Sequence, residues 1–206
     1  MKTAVVVITL LLAALILGGC ASDQGVEKRA IFIGADITGS NTESEKNVSK
    51  GIAEEIVDRE RGQARILIYR FAHQSEKLYE DLPRDSQGMW STVDNDVVAS
   101  KAAEKKTYWA PMLNEICRKA ASYDKPFGVI LLTDGECHDS KATTKAAAKL
   151  AENKKLSVVL VAPVINQSGI RSKIEATLEP LGNKLVISGL DDRGFGIQKF
   201  REMEIR

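Results

Sequence analysis

The stretch AIFIGADITGS, Ala30 to Ser40, decides the fold of this chain. An apolar run from Ala30 to Ala35 ends abruptly in a segment that carries a carboxylate and two hydroxyls at every second position. A continuous apolar run of this length predicts a strand covered on both faces, as in a parallel sheet between helices. Because alternate residues of a strand point to the same side, we expect Asp36, Thr38 and Ser40 to share one side.

Further extended apolar segments alternate with amphipathic segments along the chain. The other predicted strands are Ala64–Phe71, Phe127–Thr133, Leu156–Val164 and Lys184–Ile187. The predicted helices are Glu43–Glu60, Pro111–Ala121, Lys141–Lys154 and Ser168–Leu181. Each helical pattern has one apolar stripe, so each helix has one face to bury.

This alternation predicts one doubly wound α/β domain over residues 29–206, with a mostly parallel sheet and helices on both faces. A strand predicted at Lys77–Leu82 follows Ala64–Phe71 without room for a helix between them. We therefore expect it to pair antiparallel at the edge of the sheet. The polar stretch from Asp85 to Lys106 is interpreted as a long surface excursion.

The composition excludes some classes of function. The chain has 206 residues, of which 44% are hydrophobic, and its 29 Lys and Arg nearly balance its 28 Asp and Glu. Nucleic-acid binding is not expected, because it needs a concentrated basic surface. With two histidines in the whole chain, a His/Cys cluster at zinc spacing is not expected either.

The first nineteen residues are typical of a secretory signal. Lys2 precedes an apolar run from Ala4 to Leu17 in which Thr9 is the one polar residue. The run is shorter than the roughly 20 residues that cross a bilayer, although an uncleaved anchor helix is an alternative. Its Leu-Gly-Gly-Cys ending resembles the bacterial lipoprotein signal. That resemblance implies cleavage after residues 1–19, a lipid on Cys20, and a short polar tether over residues 20–28.

The lipoprotein resemblance also implies a location. A lipid on Cys20 would hold the domain at a membrane of the bacterial cell envelope. The next residue is Ala21, and not the aspartate that favours inner-membrane retention in many Gram-negative lipoproteins. We therefore expect the outer membrane if the organism is Gram-negative.

Two predicted strands end in aspartate. Ala30–Ala35 runs into Asp36, and FGVILLTDGE, Phe127 to Glu136, runs into Asp134. Ligands of open α/β sheets collect at the carboxyl ends of strands. If the two strands are neighbours, their carboxylates repel each other, and a bound cation relieves the repulsion. Carboxylate and hydroxyl oxygens suit Mg²⁺, with Mn²⁺ and Ca²⁺ as alternatives.

These motifs resemble a known family. Asp36-x-Thr38-x-Ser40 resembles the Asp-x-Ser-x-Ser opening of the von Willebrand factor type A domain, and Thr133-Asp134-Gly135 is similar to the Thr-Asp-Gly of that family. The resemblance implies a metal-ion-dependent adhesion site (MIDAS), in which an open position on the ion takes a carboxylate from a partner. The implied metal ligands are Asp36, Thr38, Ser40, Thr107 and Asp134.

The match to the family departs from its usual pattern in two places. Thr38 replaces the commoner serine but keeps the hydroxyl. Lys105 and Lys106 precede Thr107 where many relatives have glycines, so Thr92 is the alternative loop ligand. A further alternative is that the domain keeps the fold without the metal, and that these side chains serve as turn and helix caps.

Several other residues could be mistaken for functional ones. His138 is interpreted as a surface loop residue rather than as a base or ligand. We expect Cys117 and Cys137 to be free thiols, because Cys117 lies well down its helix from the sheet edge and a disulfide requires close Cα atoms. Trp109 is expected to pack its loop, whereas Trp90 could pack or contact a partner.

The sequence as a whole favours a lipid-anchored binding module of the cell envelope that is not an enzyme. Its expected partner is a protein that presents an Asp or Glu carboxylate to the metal. One alternative is a structural domain without metal. A metal-dependent phosphoesterase is less favoured, because Thr38 stands where an Asp-x-Asp motif needs its second aspartate and because no glycine-rich phosphate loop is present.

Overall fold

The computed structural model describes residues 26–38, 43–97, 106–164, 169–189 and 191–204. Two of the predicted functional residues, Cys20 and Ser40, lie outside these ranges. The side chain of Thr92 also lies outside the described part of the chain.

Strands and helices alternate as the sequence predicts. The strands are β1 (Arg29–Asp36), β2 (Ala64–Phe71), β3 (Ser75–Asp81), β4 (Phe127–Leu132), β5 (Leu156–Val164) and β6 (Leu185–Gly189). The helices are α1 (Glu43–Glu60), α2 (Ser86–Val97), α3 (Ala110–Ala120), α4 (Ser140–Ala151), α5 (Ile170–Thr177) and α6 (Arg193–Glu204), with a 3₁₀ helix at Glu179–Lys184. None of the described helices is both long enough and apolar enough to cross a membrane.

The six strands form one sheet in the order β3-β2-β1-β4-β5-β6. β1 pairs in parallel with both β2 and β4, and the parallel pairing continues through β5 to β6. β3 pairs antiparallel with β2 at one edge. The predicted fold class, a mostly parallel doubly wound sheet with one antiparallel edge strand, is confirmed.

Each face of the sheet has its own hydrophobic core. Phe32 of β1 packs with residues of α3, α4 and α5 on one face. Its neighbours Ile31 and Ile33 pack with residues of α1, α2 and α6 on the other. Because successive residues of a strand alternate between faces, the continuous apolar run of β1 serves both cores.

The prediction of a surface excursion from Asp85 to Lys106 is wrong, because α2 occupies much of that segment. Met89, Trp90 and Val93 share one helical face and are buried on the α1 side of the sheet. Asp85 caps the helix, since its Oδ1 accepts a hydrogen bond of 2.9 Å from the Gly88 amide. Trp90 is 3% exposed, so it packs the helix and offers little surface to a partner.

The predicted helix Ser168–Leu181 is shorter than expected. α5 ends at Thr177, and the 3₁₀ helix follows. Pro180 stands at the start of this second helix, where its missing amide proton costs no helical hydrogen bond. The apolar spacing therefore predicts a helix here, but it does not reveal the break at Pro180.

Candidate metal centre

The candidate site lies at the switch point of the sheet. After β1 the chain crosses through α1 on one face to β2, and after β4 it crosses through α4 on the other face to β5. Such a reversal opens a crevice at the carboxyl ends of the two central strands. The last register pair is Ala35 with Leu132, so Asp36 and Thr133 follow side by side.

Hydroxyl groups surround the carboxylate of Asp36, which is 3% exposed. Thr38 donates to its Oδ1 through both the hydroxyl, at 2.7 Å, and the backbone amide, at 2.9 Å. Thr133 donates its hydroxyl to Oδ2 at 2.9 Å, and Thr107 does so at 3.3 Å. The hydroxyl oxygens of Thr38 and Thr107 are 3.0 Å apart, so side chains that are far apart in sequence converge on one point.

The electrostatics of this cluster disfavour a bare negative charge. Burial, with a smaller contribution from the nearby charge of Asp134, raises the pKa of Asp36 to about 6, although the hydrogen bonds from Thr38 and Thr133 lower it. A positive charge at this position would therefore stabilise the ionised carboxylate.

Asp134 is equally buried but is held in another way. Its Oδ1 accepts a hydrogen bond of 3.0 Å from the backbone amide of Glu136. Gly135 has φ of 98°, and a Cβ there would come within 2.8 Å of Ile170 Cγ2. Glycine is therefore needed both for the backbone conformation and for the close approach of α5.

Two hydrogen bonds with His138 hold the backbone of Thr107 in place. The His138 amide donates to the Thr107 carbonyl at 2.9 Å, and the Thr107 amide donates to His138 Nδ1 at 3.2 Å. His138 is exposed, as expected of a loop residue, but it also positions a predicted ligand.

Asp139 links the loop after β4 to the start of α3, a role that its sequence context does not predict. Its carboxylate accepts hydrogen bonds from the backbone amides of Trp109, at 2.9 Å, and Ala110, at 3.0 Å. It also accepts a bond of 2.8 Å from the Thr143 hydroxyl. Asp139 directly precedes α4, and this position suggests that it caps that helix. Its carboxylate instead accepts hydrogen bonds from the amides at the start of α3.

The structure brings together four of the five predicted ligands: Asp36, Thr38, Thr107 and Asp134. Thr107 lies at the site with a fully buried side chain, whereas its alternative Thr92 belongs to α2. In the described ranges, no group of three or more His, Cys, Asp or Glu side chains could hold a metal. The donor set nevertheless fits a hard cation, because the hydroxyl oxygens of the two threonines add to the two carboxylates as oxygen ligands.

The other residues that could be mistaken for functional ones have structural roles. Trp109 is fully buried, as predicted. Cys117 and Cys137 are half-buried free thiols, and burial raises the pKa of both. A raised thiol pKa lowers the fraction of reactive thiolate.

Comparison with known proteins rests on solved structures, since no family model and no curated protein matches the sequence. A von Willebrand factor type A protein from Catenulispora acidiphila has TM-score 0.60 and 17% identity, over 87% of this chain and 42% of that chain. An aerotolerance-related membrane protein from Bacteroides fragilis has TM-score 0.61 and 16% identity, over 88% of this chain and 99% of that chain.

A third similar structure carries a metal. Proximal thread matrix protein 1 from the mussel byssus, solved with a zinc-occupied MIDAS motif, has TM-score 0.60 and 14% identity over 87% of this chain and 48% of that chain. The chain thus spans about half the length of the mussel byssus proteins that it matches.

Proposed function

The chain has the von Willebrand factor type A fold, and we propose that it is a non-enzymatic binding module that uses a divalent cation to engage an acidic group of a protein partner. The observation that carries the proposal is the convergence of the Thr38 and Thr107 hydroxyls, 3.0 Å apart, at the buried carboxylate of Asp36. Asp134 adds a second carboxylate. The zinc-occupied MIDAS motif of the mussel protein supports a metal in this fold.

The donor set favours a hard divalent ion, because its ligands are carboxylate and hydroxyl oxygens. The Thr38 and Thr107 hydroxyl oxygens are hydrogen-bonded 3.0 Å apart, a spacing that adjacent ligands of an octahedral Mg²⁺ ion also have. Ca²⁺ with seven or eight ligands at about 2.3–2.6 Å fits a similar spacing. We propose Mg²⁺, with Mn²⁺ and Ca²⁺ as alternatives; when bound, the ion would supply positive charge to a carboxylate of the partner.

The protein side chains prearrange this site. Thr133 holds Oδ2 of Asp36, while His138 and Asp139 fix the segment that carries Thr107. A site that is ordered before binding loses less conformational entropy when its ligand arrives. The second candidate is a structural domain without metal, because the same hydroxyls already satisfy the Asp36 carboxylate.

We also propose that Cys20 carries a lipid and anchors the domain in the bacterial cell envelope, at the outer membrane if the cell is Gram-negative. β1 begins at Arg29, shortly after Cys20, and ends at Asp36. A rise of about 3.3 Å per residue puts Asp36 about 23 Å from Arg29 along the strand. The candidate metal centre would then face away from the membrane, toward a partner.

Metabolic labelling with a fatty-acid analogue tests the anchor. The full chain should incorporate the label in a bacterial host, Cys20→Ser should lose it, and Cys117→Ser should keep it. Equal labelling of the first variant and the unmodified chain would contradict lipidation at Cys20.

Selection from a peptide library tests the binding function. The full chain in detergent is exposed to random peptides that contain one fixed aspartate, with Mg²⁺ and then with EDTA. Peptides should bind in Mg²⁺ and be released by EDTA, and Asp36→Asn should not bind them. Binding that is indifferent to EDTA would contradict the proposal, as would the absence of any binding peptide.

A further inference from the structure

A recess of about 450 Å³ lies beside the candidate metal centre, between the loop Gly135–His138 and helix α5. We propose that this recess is a second subsite for the acidic partner and that it takes a bulky apolar side chain close to the carboxylate that reaches the metal. The inference rests on the proposed function, and it specifies the kind of segment that the partner presents.

The walls of the recess suit an apolar side chain on a polar segment. Ile170 and Ile174 form its floor from α5 but are only 9% and 1% exposed, so much of the accessible apolar surface comes from the half-buried Cys137 and the exposed Ala176. Exposed polar residues, among them His138, Ser140 and Lys173, also line it. Ligand pockets of about 300–1,000 Å³ combine apolar walls with a few polar groups in the same way.

The recess adjoins the loop that follows Asp134 of the candidate metal centre. Gly135 directly follows Asp134 and lines the recess. A Cβ at Gly135 would come within 3.0 Å of the Ile174 side chain, so the metal-site loop and α5 are in close contact. Consecutive Cα atoms are about 3.8 Å apart. A peptide whose carboxylate reaches the metal can therefore insert a side chain a few residues away into the recess.

The charged residues around the recess favour one orientation of the partner segment. Lys173 projects from α5, and Glu136 lies on the loop that follows Asp134. A second acidic group of the partner is attracted by Lys173 and repelled by Glu136. The favoured segment is therefore acidic, with its apolar residue between the metal-bound carboxylate and the acid that faces Lys173.

The test repeats the peptide selection with variants of the recess. Ser140→Trp places a large side chain at the recess, and Lys173→Glu reverses its charge. Lys145 is exposed on the same helix as Ser140 and does not line the recess, so Lys145→Trp and Lys145→Glu are matched controls. A Mg²⁺ titration of each variant reports whether the metal site itself is intact.

We expect the selected peptides to share a bulky apolar residue at a fixed distance from the aspartate. Ser140→Trp should weaken their binding by about tenfold to a hundredfold, the value of one buried apolar side chain. Lys173→Glu should weaken it by about threefold to tenfold, and the Lys145 variants should bind as the unmodified chain does.

Two results would overturn the inference, and they differ in what they say about the metal site. If peptides bind in Mg²⁺ but have no preferred flanking residue and tolerate both recess variants, the binding function stands and the recess is not a subsite. If no peptide binds in Mg²⁺, both proposals fail together.

Discussion

The first segment begins at Asp36, the end of β1, and the second begins at Thr133, directly after β4; both lie at the same edge of the sheet, yet their aspartates are held by different means. Asp36 is bonded by threonine hydroxyls from three parts of the chain. Asp134 bonds to its own loop, and the residues after it tie that loop to α3. The polar side chains of the site therefore gather around Asp36 of the first segment, whereas the second segment holds the start of α3 in position.

The largest expected effect concerns charge at the first segment. The pKa of Asp36 rises from 3.8 to about 6 on folding, so folding favours the protonated form. Without metal, the contribution of Asp36 to the free energy of unfolding should fall by about 3 kcal/mol in total as pH rises, and most of the fall should come between about pH 4 and about pH 6. Urea unfolding in EDTA across this range should show the fall, and Asp36→Asn should remove it. Parallel pH profiles of the two proteins would contradict the role given to Asp36.

Next in size is the support at the second segment. Asp139→Ala removes the acceptor for the amides of Trp109 and Ala110, and loss of such a cap should cost about 2 kcal/mol. Asp124→Ala, at an exposed loop carboxylate, should cost less than about 0.5 kcal/mol. Urea unfolding measures both. An equal, small loss in the two variants would show that Asp139 does not brace α3.

A smaller loss is expected at the hydrogen bonds that hold the backbone of Thr107. His138→Ala removes the acceptor of the Thr107 amide and should cost about 1 kcal/mol. His138→Asn offers an oxygen in place of Nδ1 and should recover part of that stability. The comparison is made by urea unfolding at neutral pH. If the alanine and asparagine variants are equally stable, the hydrogen bond contributes nothing.

The smallest effect separates two of the hydroxyls that donate hydrogen bonds to Asp36. The hydrogen bond from Thr133, at 2.9 Å, lowers the pKa of Asp36, so Thr133→Val should raise it above about 6. Thr107→Val should raise it less, because its bond to Asp36 is longer, at 3.3 Å. Carboxyl NMR titration of Asp36 in EDTA measures both. A larger rise in the Thr107 variant would reverse the ranking.

The two segments also differ in how much of their structure and of their residues' roles the sequence predicts. The alternation of apolar runs and stripes predicted the sheet, both cores and the antiparallel edge strand, because strand and helix periods are local properties. Asp36, Thr38, Thr107 and Asp134 were predicted because their side chains form recognisable motifs at strand ends and a helix start.

Asp139 and the role of His138 could not be predicted, because each acts on backbone atoms of a segment about thirty residues away. Nothing in the local sequence indicates that contact. The helix α2 was missed for a different reason: Met89, Trp90 and Val93 form a stripe too short to stand out within a polar stretch. The missed parts are thus those that depend on tertiary contacts or on weak periodicity.

The central claim is that the two segments together hold a divalent cation. Calorimetric titration of the full chain with Mg²⁺ tests it most directly, with Asp36→Asn and Asp134→Asn measured beside it and circular dichroism as the check on folding. We predict one-to-one binding in the unmodified chain and its loss in both variants, each of them folded. Binding that persists in both variants, or that is absent from the unmodified chain, would contradict the account.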